Sequence, residues 1–78
     1  GIDYAEQYYW KEAIDVWIAL LDTNDLLKRS CAEYNIAVAC YMLGDIKLAS
    51  EWLDRSDADN RLPLSDSLRK RIDFRLNS

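Results

Sequence analysis

The feature that most restricts the fold of this sequence is a spacing of side chains that occurs twice. A large residue is followed three positions later by alanine, and four positions after that by a second large residue. This pattern occupies residues 10–17 (WKEAIDVW) and recurs 36 positions later at residues 46–53 (IKLASEWL). On a helix, the alanine allows a second helix to approach closely, and the large residues one turn away fill the groove beside it. The repeat predicts helical hairpins stacked through small residues.

Apolar residues recur at helical spacing along most of the chain. The expected helices span residues 11–21, 26–43, 46–56 and 66–76, and a short helical stretch at residues 4–9 precedes the first. No segment keeps the period-two alternation of a strand, so the chain is expected to be all-α. The polar segment that ends beside Pro63 (DADNRLPL, residues 57–64) is expected to form a loop.

Polar residues and one glycine mark the ends of these helices. Asn24 or Asp25 is placed to cap the second long helix. Asp45 and Ser65 are placed to cap the third and the fourth. Gly44 is expected to adopt the left-handed conformation that ends the second helix, because glycine reaches that conformation at little cost.

Composition and motif content exclude most kinds of active site. The 78 residues contain no histidine and two cysteines, which leaves no ordinary zinc site and no histidine-based catalysis. No glycine-rich phosphate loop occurs. The run from Asp57 to Asn60 lacks the glycine and distal glutamate of a calcium loop, so it is expected to be a polar loop. Nothing in the spacing of Glu33 and Glu51 indicates a catalytic carboxylate pair, so both are expected to be solvated at the surface. The sequence therefore predicts no enzyme, no cofactor and no bound metal.

Charge is unevenly distributed between the body of the chain and its last segment. Residues 1–60 carry twelve acidic and five basic side chains, whereas residues 61–78 carry five basic and two acidic ones. Because phosphate backbones require a basic surface, the acidic body argues against nucleic acid as a partner. The basic residues of the last helix point in several directions, which predicts a solvated face rather than a phosphate or anionic-lipid site. They are Arg69, Lys70, Arg71 and Arg75.

Cysteine spacing and hydropathy limit crosslinking and membrane insertion. Cys31 and Cys40 lie nine positions apart. On one helix this places them on opposite sides and about 13 Å apart along the axis, so a disulfide between them is excluded. Both are expected to be small buried or half-buried side chains. No run of twenty apolar residues is present, so direct membrane insertion is not expected.

The second copy of the pattern, with the helix before it, resembles the tetratricopeptide repeat, a helix–turn–helix unit of about 34 residues. The matching residues are Ile36 and Ala37 in the Leu-Gly/Ala positions, Cys40 in the tyrosine position, Gly44, Ala49 and Leu53. Two residues depart from the family. Ser56 occupies a position where the family has alanine, and Tyr8 stands where the first copy would have the turn glycine. Residues 3–21 are therefore either two short helices or one bent helix.

The resemblance implies antiparallel helical hairpins stacked as a right-handed array with a terminal capping helix. The single domain over residues 1–78 would comprise a first hairpin at 3–22, a second at 26–57 and a terminal helix at 65–77. The run AEYNIAVA at residues 32–39, followed by Leu-Gly-Asp, is also similar to the C-terminal repeats of uncharacterised bacterial lipoproteins. This second resemblance implies that the chain is a fragment of a longer exported protein. That protein would be periplasmic or anchored at the outer membrane through a missing N-terminal part. If the resemblance does not hold, a cytoplasmic location is expected.

The tetratricopeptide resemblance also implies a binding surface, because stacked hairpins form a concave face lined mostly by the first helix of each hairpin. The residues expected to bind a partner there are Tyr34, Asn35, Val38, Tyr41 and Met42, beside Cys31. Tyrosine and methionine suit adaptable contacts with a protein or peptide; alternatively, these residues pack on neighbouring helices. Only Asn35 fits the clamp that some chaperone-binding relatives use for a terminal carboxylate, so that clamp is not expected.

The expected function is a non-catalytic protein- or peptide-binding scaffold. The alternative is a structural module that packs within a larger exported protein or forms a homodimer. Leu48 and Trp52 are the residues expected at such an interface. They lie one position before Ala49 and Leu53, the residues of the repeated pattern that are expected to pack against the neighbouring helix. Trp52 either buries against the last helix or belongs to an exposed patch that docks another repeat, another copy of the chain or a missing domain.

Overall fold

The computed structural model describes residues 2–78 of the chain. Within this range the backbone forms no strand and four α-helices: α1 (Tyr4–Ala19), α2 (Leu26–Met42), α3 (Ile46–Asp59) and α4 (Ser65–Leu76). The expectation of an all-helical fold is confirmed. The radius of gyration, 12.2 Å, is near the ~11.5 Å expected of a compact domain of this length. None of the helices in the described range is both long and apolar enough to cross a membrane.

The first segment of the chain is one continuous helix. Asp3 caps it, and its carboxylate accepts a 2.8 Å hydrogen bond from the backbone N–H of Glu6. The helix passes through Tyr8 without a turn and ends at Ala19. Residues 3–22 therefore contribute a single helix, and the helix that packs on it is the next one along the chain, α2.

Two of the predicted turns form as expected. Asp25 caps α2 by accepting a 3.0 Å hydrogen bond from the backbone N–H of Leu27. Asp45 caps α3 by accepting a 3.3 Å hydrogen bond from the backbone N–H of Leu48. Gly44 lies between the two helices with a φ of +88°. No atom lies within 4 Å of where its Cβ would be, so the backbone conformation rather than crowding favours glycine here.

Two expectations at the connection between α3 and α4 are wrong. α3 continues through Asp59 instead of ending three residues earlier. Its last turn is stabilised because the Asp59 carboxylate accepts two 2.9 Å hydrogen bonds from the guanidinium group of Arg29 on α2. Ser65 does not cap α4: it is the first helical residue, and its hydroxyl donates to the carboxylate of Asp57. The residue before it, Leu64, makes no side-chain capping bond.

The central helix of the fold is α2, which contacts all three other helices. α2 and α3 form an antiparallel pair joined by the glycine turn, and α4 packs against both. Within residues 2–78, α1 packs on α2 alone among the helices, and none of its residues is buried. The buried core joins α2, α3 and α4, and consists of Ile36, Ala37, Cys40, Ala49, Leu53, Leu68 and Ile72.

Two buried serines link α2 and α3. The hydroxyl oxygens of Ser30 and Ser56 are 2.9 Å apart, and each hydroxyl also lies within hydrogen-bond distance of the other residue's backbone carbonyl. Ser56 is therefore a small residue that also forms hydrogen bonds across the contact between the two helices. Cys40 is buried as expected, whereas Cys31 is exposed because it lies on a side of α2 that faces away from the core; both thiols are free.

Candidate functional site

A surface groove runs between α2 and α4. Tyr34, Val38 and Tyr41 lie at i, i+4 and i+7 on α2 and form one wall. The other wall comes from the α4 segment and consists of Leu64, Ser67, Leu68 and Arg71. Leu68 belongs to the buried core, so it forms the floor. With Met42 included in its lining, this cavity measures about 370 Å³.

A second cavity continues the groove toward the N-terminus of α2. It measures about 340 Å³ and is lined by Cys31, Tyr34, Asn35, Leu62, Pro63 and Leu64. Tyr34 and Leu64 line both cavities, so the two adjoin, and together we call them the α2–α4 groove. All five residues predicted to bind a partner line this groove.

The five predicted residues are partly covered by the protein and partly open. Tyr34, Asn35, Val38 and Tyr41 are half-buried, and Met42 is 38% exposed. Three of the half-buried residues, Tyr34, Val38 and Tyr41, pack against the core. Each tyrosine thus packs on the core, as one of the two alternatives expects, and leaves part of its surface open in the groove.

The end of the groove near the C-terminus of α4 is positively charged. Arg71 lines the cavity, and the guanidinium carbon of Arg75 lies 5.6 Å from the ring centre of Tyr41, within range of a cation–π contact. In the described part of the chain, neither arginine has a carboxylate oxygen within 4.0 Å. No acidic side chain within residues 2–78 lines the groove.

The sequence predicts none of the α4 residues in the groove. Arg71 and Arg75 are exposed charges, as the sequence predicts, and the fold also places them beside Tyr41. The signal that could have identified them is their register with two leucines. Leu64, Leu68, Arg71 and Arg75 follow one another at intervals of four, three and four, which places them on one helical face.

Residues 1–74 match a family described as "Domain of unknown function (DUF6340)". The chain belongs to this family. The match covers α1, α2 and α3 and most of α4, so it includes every residue that lines the two cavities of the α2–α4 groove. Arg75, beside Tyr41, lies one residue beyond the match. No curated protein and no solved structure matches the chain. The family description gives no activity, and the function has to be argued from the groove.

The predicted interface residues Leu48 and Trp52 lie one turn apart on α3 of this DUF6340 domain. Leu48 is 38% exposed. Trp52 is half-buried against the core, and the guanidinium carbon of Arg55 lies 4.6 Å from its ring centre, in cation–π contact. The indole is thus covered partly by the core and partly by a cation, and Leu48 beside it stays exposed.

Another open cleft lies between α1 and α2. It measures about 540 Å³, and its apolar lining includes Trp17, Leu20, Leu27 and Ala32. The sequence does not predict this cleft, because it depends on the angle at which α1 leaves the first turn. Cys31 lines both this cleft and the α2–α4 groove, so a label on its thiol would report on both cavities.

A carboxyl group lies buried between α2 and α3, against the expectation of a solvated side chain. Glu33 is 6% exposed, and its Oε1 atom has no hydrogen-bond partner within residues 2–78. Burial, aided by a hydrogen bond shared with Asp59, raises the pKa of Glu33 to about 7, against opposing effects of Arg29 and Arg55. Hydrogen bonds from Arg29 lower the pKa of Asp59 to about 2.

These carboxyl groups have no evident role in the groove. Neither Glu33 nor Asp59 lines the α2–α4 groove. Across the described residues, no three histidine, cysteine, aspartate or glutamate side chains lie close enough together to hold a metal ion. The pair therefore belongs to the contact between α2 and α3, where it affects stability.

Proposed function

We propose that this DUF6340 chain is a non-catalytic scaffold that binds a protein or peptide segment in the α2–α4 groove. The observation that carries the proposal is a pair of adjoining cavities in which all five predicted residues leave part of their surface open. Tyrosine supplies a large contact area with little loss of conformational entropy, and methionine adapts its shape to a partner. Such a lining suits the binding of an extended chain.

The helix arrangement supports a tetratricopeptide-like, right-handed array as the finer description of the fold. In this proposal α2 and α3 form one hairpin unit, α1 is the second helix of the preceding unit, and α4 is the terminal helix that takes the first position of the next. The first helices of successive units, here α2 and α4, would then line one concave face. The contacts of α2 with all three other helices, and of α4 with α2 and α3, fit this order.

The proposal predicts that peptides selected on this protein bind through Tyr41. A display library of random peptides about twelve residues long is panned on the immobilised chain, and selected peptides are titrated while amide chemical shifts are recorded by NMR. We expect the shifts to cluster at Tyr34, Val38 and Tyr41 and on α4. Tyr41→Ala is expected to weaken binding about fivefold to thirtyfold, because a tyrosine buried by a partner contributes roughly 1–2 kcal/mol.

The matched control for this experiment is Tyr8→Ala, because Tyr8 is a 60% exposed tyrosine on α1 and lies outside the groove. The control is expected to bind as the wild type does. Circular dichroism of Tyr41→Ala checks that the variant keeps its helices, which is the expected result. The proposal is wrong if the selected peptides shift only residues outside the groove, or if they bind Tyr41→Ala as tightly as the wild type.

Self-association is a second candidate function, favoured by the exposed apolar face of α1. No residue of α1 is buried, and Tyr4, Tyr8 and Val16 are 83%, 60% and 58% exposed. A second copy of the chain would bury this surface, with Leu48 and Trp52 available on α3. Light scattering across a hundredfold dilution tests this. A dimer that dissociates on dilution supports it, and a monomer at every concentration rules it out.

A further inference from the structure

We infer that the α2–α4 groove selects peptide segments that carry an apolar anchor at one end and an acidic side chain at the other. The inference rests on the proposed function and specifies its ligand. The apolar side chain lies between Tyr34 and Leu64, and the acidic side chain pairs with Arg71 and Arg75.

The apolar end of the groove is the half nearer the N-terminus of α2. Tyr34, Leu62, Pro63 and Leu64 line it, together with the amide of Asn35. No charged residue of the described chain lines this half. Leu64 is 63% exposed although it is a large aliphatic residue, so a ligand side chain that covers it would remove apolar surface from water.

The basic end of the groove holds two arginines that the described structure leaves without a carboxylate. Arg71 and Arg75 are one turn apart on α4, so their guanidinium groups can share one acidic side chain or bind two adjacent ones. Three arginines elsewhere on the molecule each form an ion pair with an aspartate. They are Arg29, Arg61 and Arg69. An acidic side chain of a partner would supply the counter-ion that Arg71 and Arg75 lack.

The distance between the two ends sets the spacing of the ligand residues. Tyr34 lies beside Leu64, and Tyr41 lies beside Arg75, so α2 and α4 run in the same direction along the groove. From Leu64, the helix rises about 10 Å to Arg71 and about 16 Å to Arg75. An extended peptide covers that length in roughly three to five residues. The anchor and the acidic residue of the ligand are therefore expected three to five positions apart.

The acidic character of the rest of the protein makes the basic end selective. The chain carries a net charge of −4, so most of its surface repels an acidic ligand. Attraction is confined to about a Debye length, ~8 Å at physiological ionic strength, around Arg71 and Arg75. Attraction between charges alone is then too weak to hold a ligand in the groove, so the ligand also needs the apolar anchor. Nucleic acid and anionic lipid surfaces, which present charge without such an anchor, fit the groove less well.

The test uses the groove-binding peptides from the display experiment and versions of them in which every acidic residue is replaced by its amide. We expect the selected peptides to share an acidic residue three to five positions from an apolar one. Replacing the acid by its amide is expected to weaken binding about twofold to fivefold, measured by fluorescence anisotropy. The double variant Arg71→Gln with Arg75→Gln is expected to show a similar loss and no further loss with the amide peptides, because both changes remove the same contact.

The matched control is Lys47→Gln with Lys70→Gln, which removes the same two charges from exposed positions outside the groove. The inference fails, and the proposed function stands, if the peptides bind the groove but neither the amide change nor the arginine variant alters affinity. Both fail if no peptide shifts Tyr41. The inference is also overturned if vesicles containing phosphatidylserine displace the peptides, and bind through the same arginines.

Discussion

Leu53→Ala is expected to lower the free energy of unfolding by about 3–4 kcal/mol, because it removes a fully buried side chain and leaves a cavity. Leu53 lies in the core where α3 packs against both α2 and α4. A domain of this length has a total stability of roughly 4 to 12 kcal/mol. The substitution therefore removes a large part of it. Urea unfolding followed by far-ultraviolet circular dichroism measures the loss as a lower midpoint.

Leu48→Ala provides the matched control for this prediction, since it is the same change on the same helix at a 38% exposed position. It is expected to change the stability by about 0.5–1 kcal/mol at most. Equal losses for the two variants would mean that Leu53 is not enclosed by α2 and α4. In that case Leu68, which lies in the same core cluster, would not form a fixed floor for the groove.

The boundaries that the sequence predicts correctly depend on chemistry within one turn of the backbone. Asp25 and Asp45 accept hydrogen bonds from residues two or three positions ahead, and Gly44 supplies a conformation of its own backbone. The end of α3 depends instead on Arg29, which is thirty positions from its partner Asp59. Local signals cannot reveal such a bond, because both residues look like solvated charges until the helices are packed.

The same distinction applies to the candidate site. The α2 wall, from Tyr34 to Met42, is predicted from residue spacing along one helix. The resemblance to the tetratricopeptide repeat then implies which face of that helix lines a groove. The α4 wall depends on where α4 crosses α2, and the sequence contains that information only through the packing of Leu68 and Ile72. Arg71 and Arg75 could therefore be recognised as solvated basic residues of the last helix but not as one end of a groove.

Glu33→Gln is expected to stabilise the protein at neutral pH by about 1–2 kcal/mol. Glu33 is almost fully buried, and the fold favours its protonated, uncharged form. The glutamine amide has nearly the shape of the protonated carboxyl group. Like that group, it can donate a hydrogen bond to Asp59, and it stays uncharged at every pH. Urea unfolding of both proteins at a series of pH values from about 4 to about 8 measures the gain.

The pH dependence of the wild type follows from the two shifted carboxyl groups. The pKa of Glu33 rises from 4.5 to about 7 in the folded state, so between these values the folded protein binds more protons than the unfolded chain. Stability then falls as the pH rises through this window, and the loss is complete above about pH 7. Asp59 acts in the opposite sense. Its pKa falls from 3.8 to about 2, so its contribution is present above pH 3.8 and is lost as the pH falls toward 2.

Together, Glu33 and Asp59 contribute most to the free energy of unfolding near pH 4. The Glu33→Gln variant distinguishes the contribution of one group from that of the other. The variant is expected to remove the decline toward neutral pH and to keep the acidic decline, which belongs to Asp59 and Arg29. Glu51→Gln, at an exposed position on α3, is expected to leave the whole profile unchanged. If wild-type stability instead rose from pH 5 to pH 8, Glu33 would be ionised in the fold, and its Oε1 atom would need a cationic partner such as Arg29 or Arg55. A Glu33→Gln variant less stable than the wild type at neutral pH would point to the same ionised state.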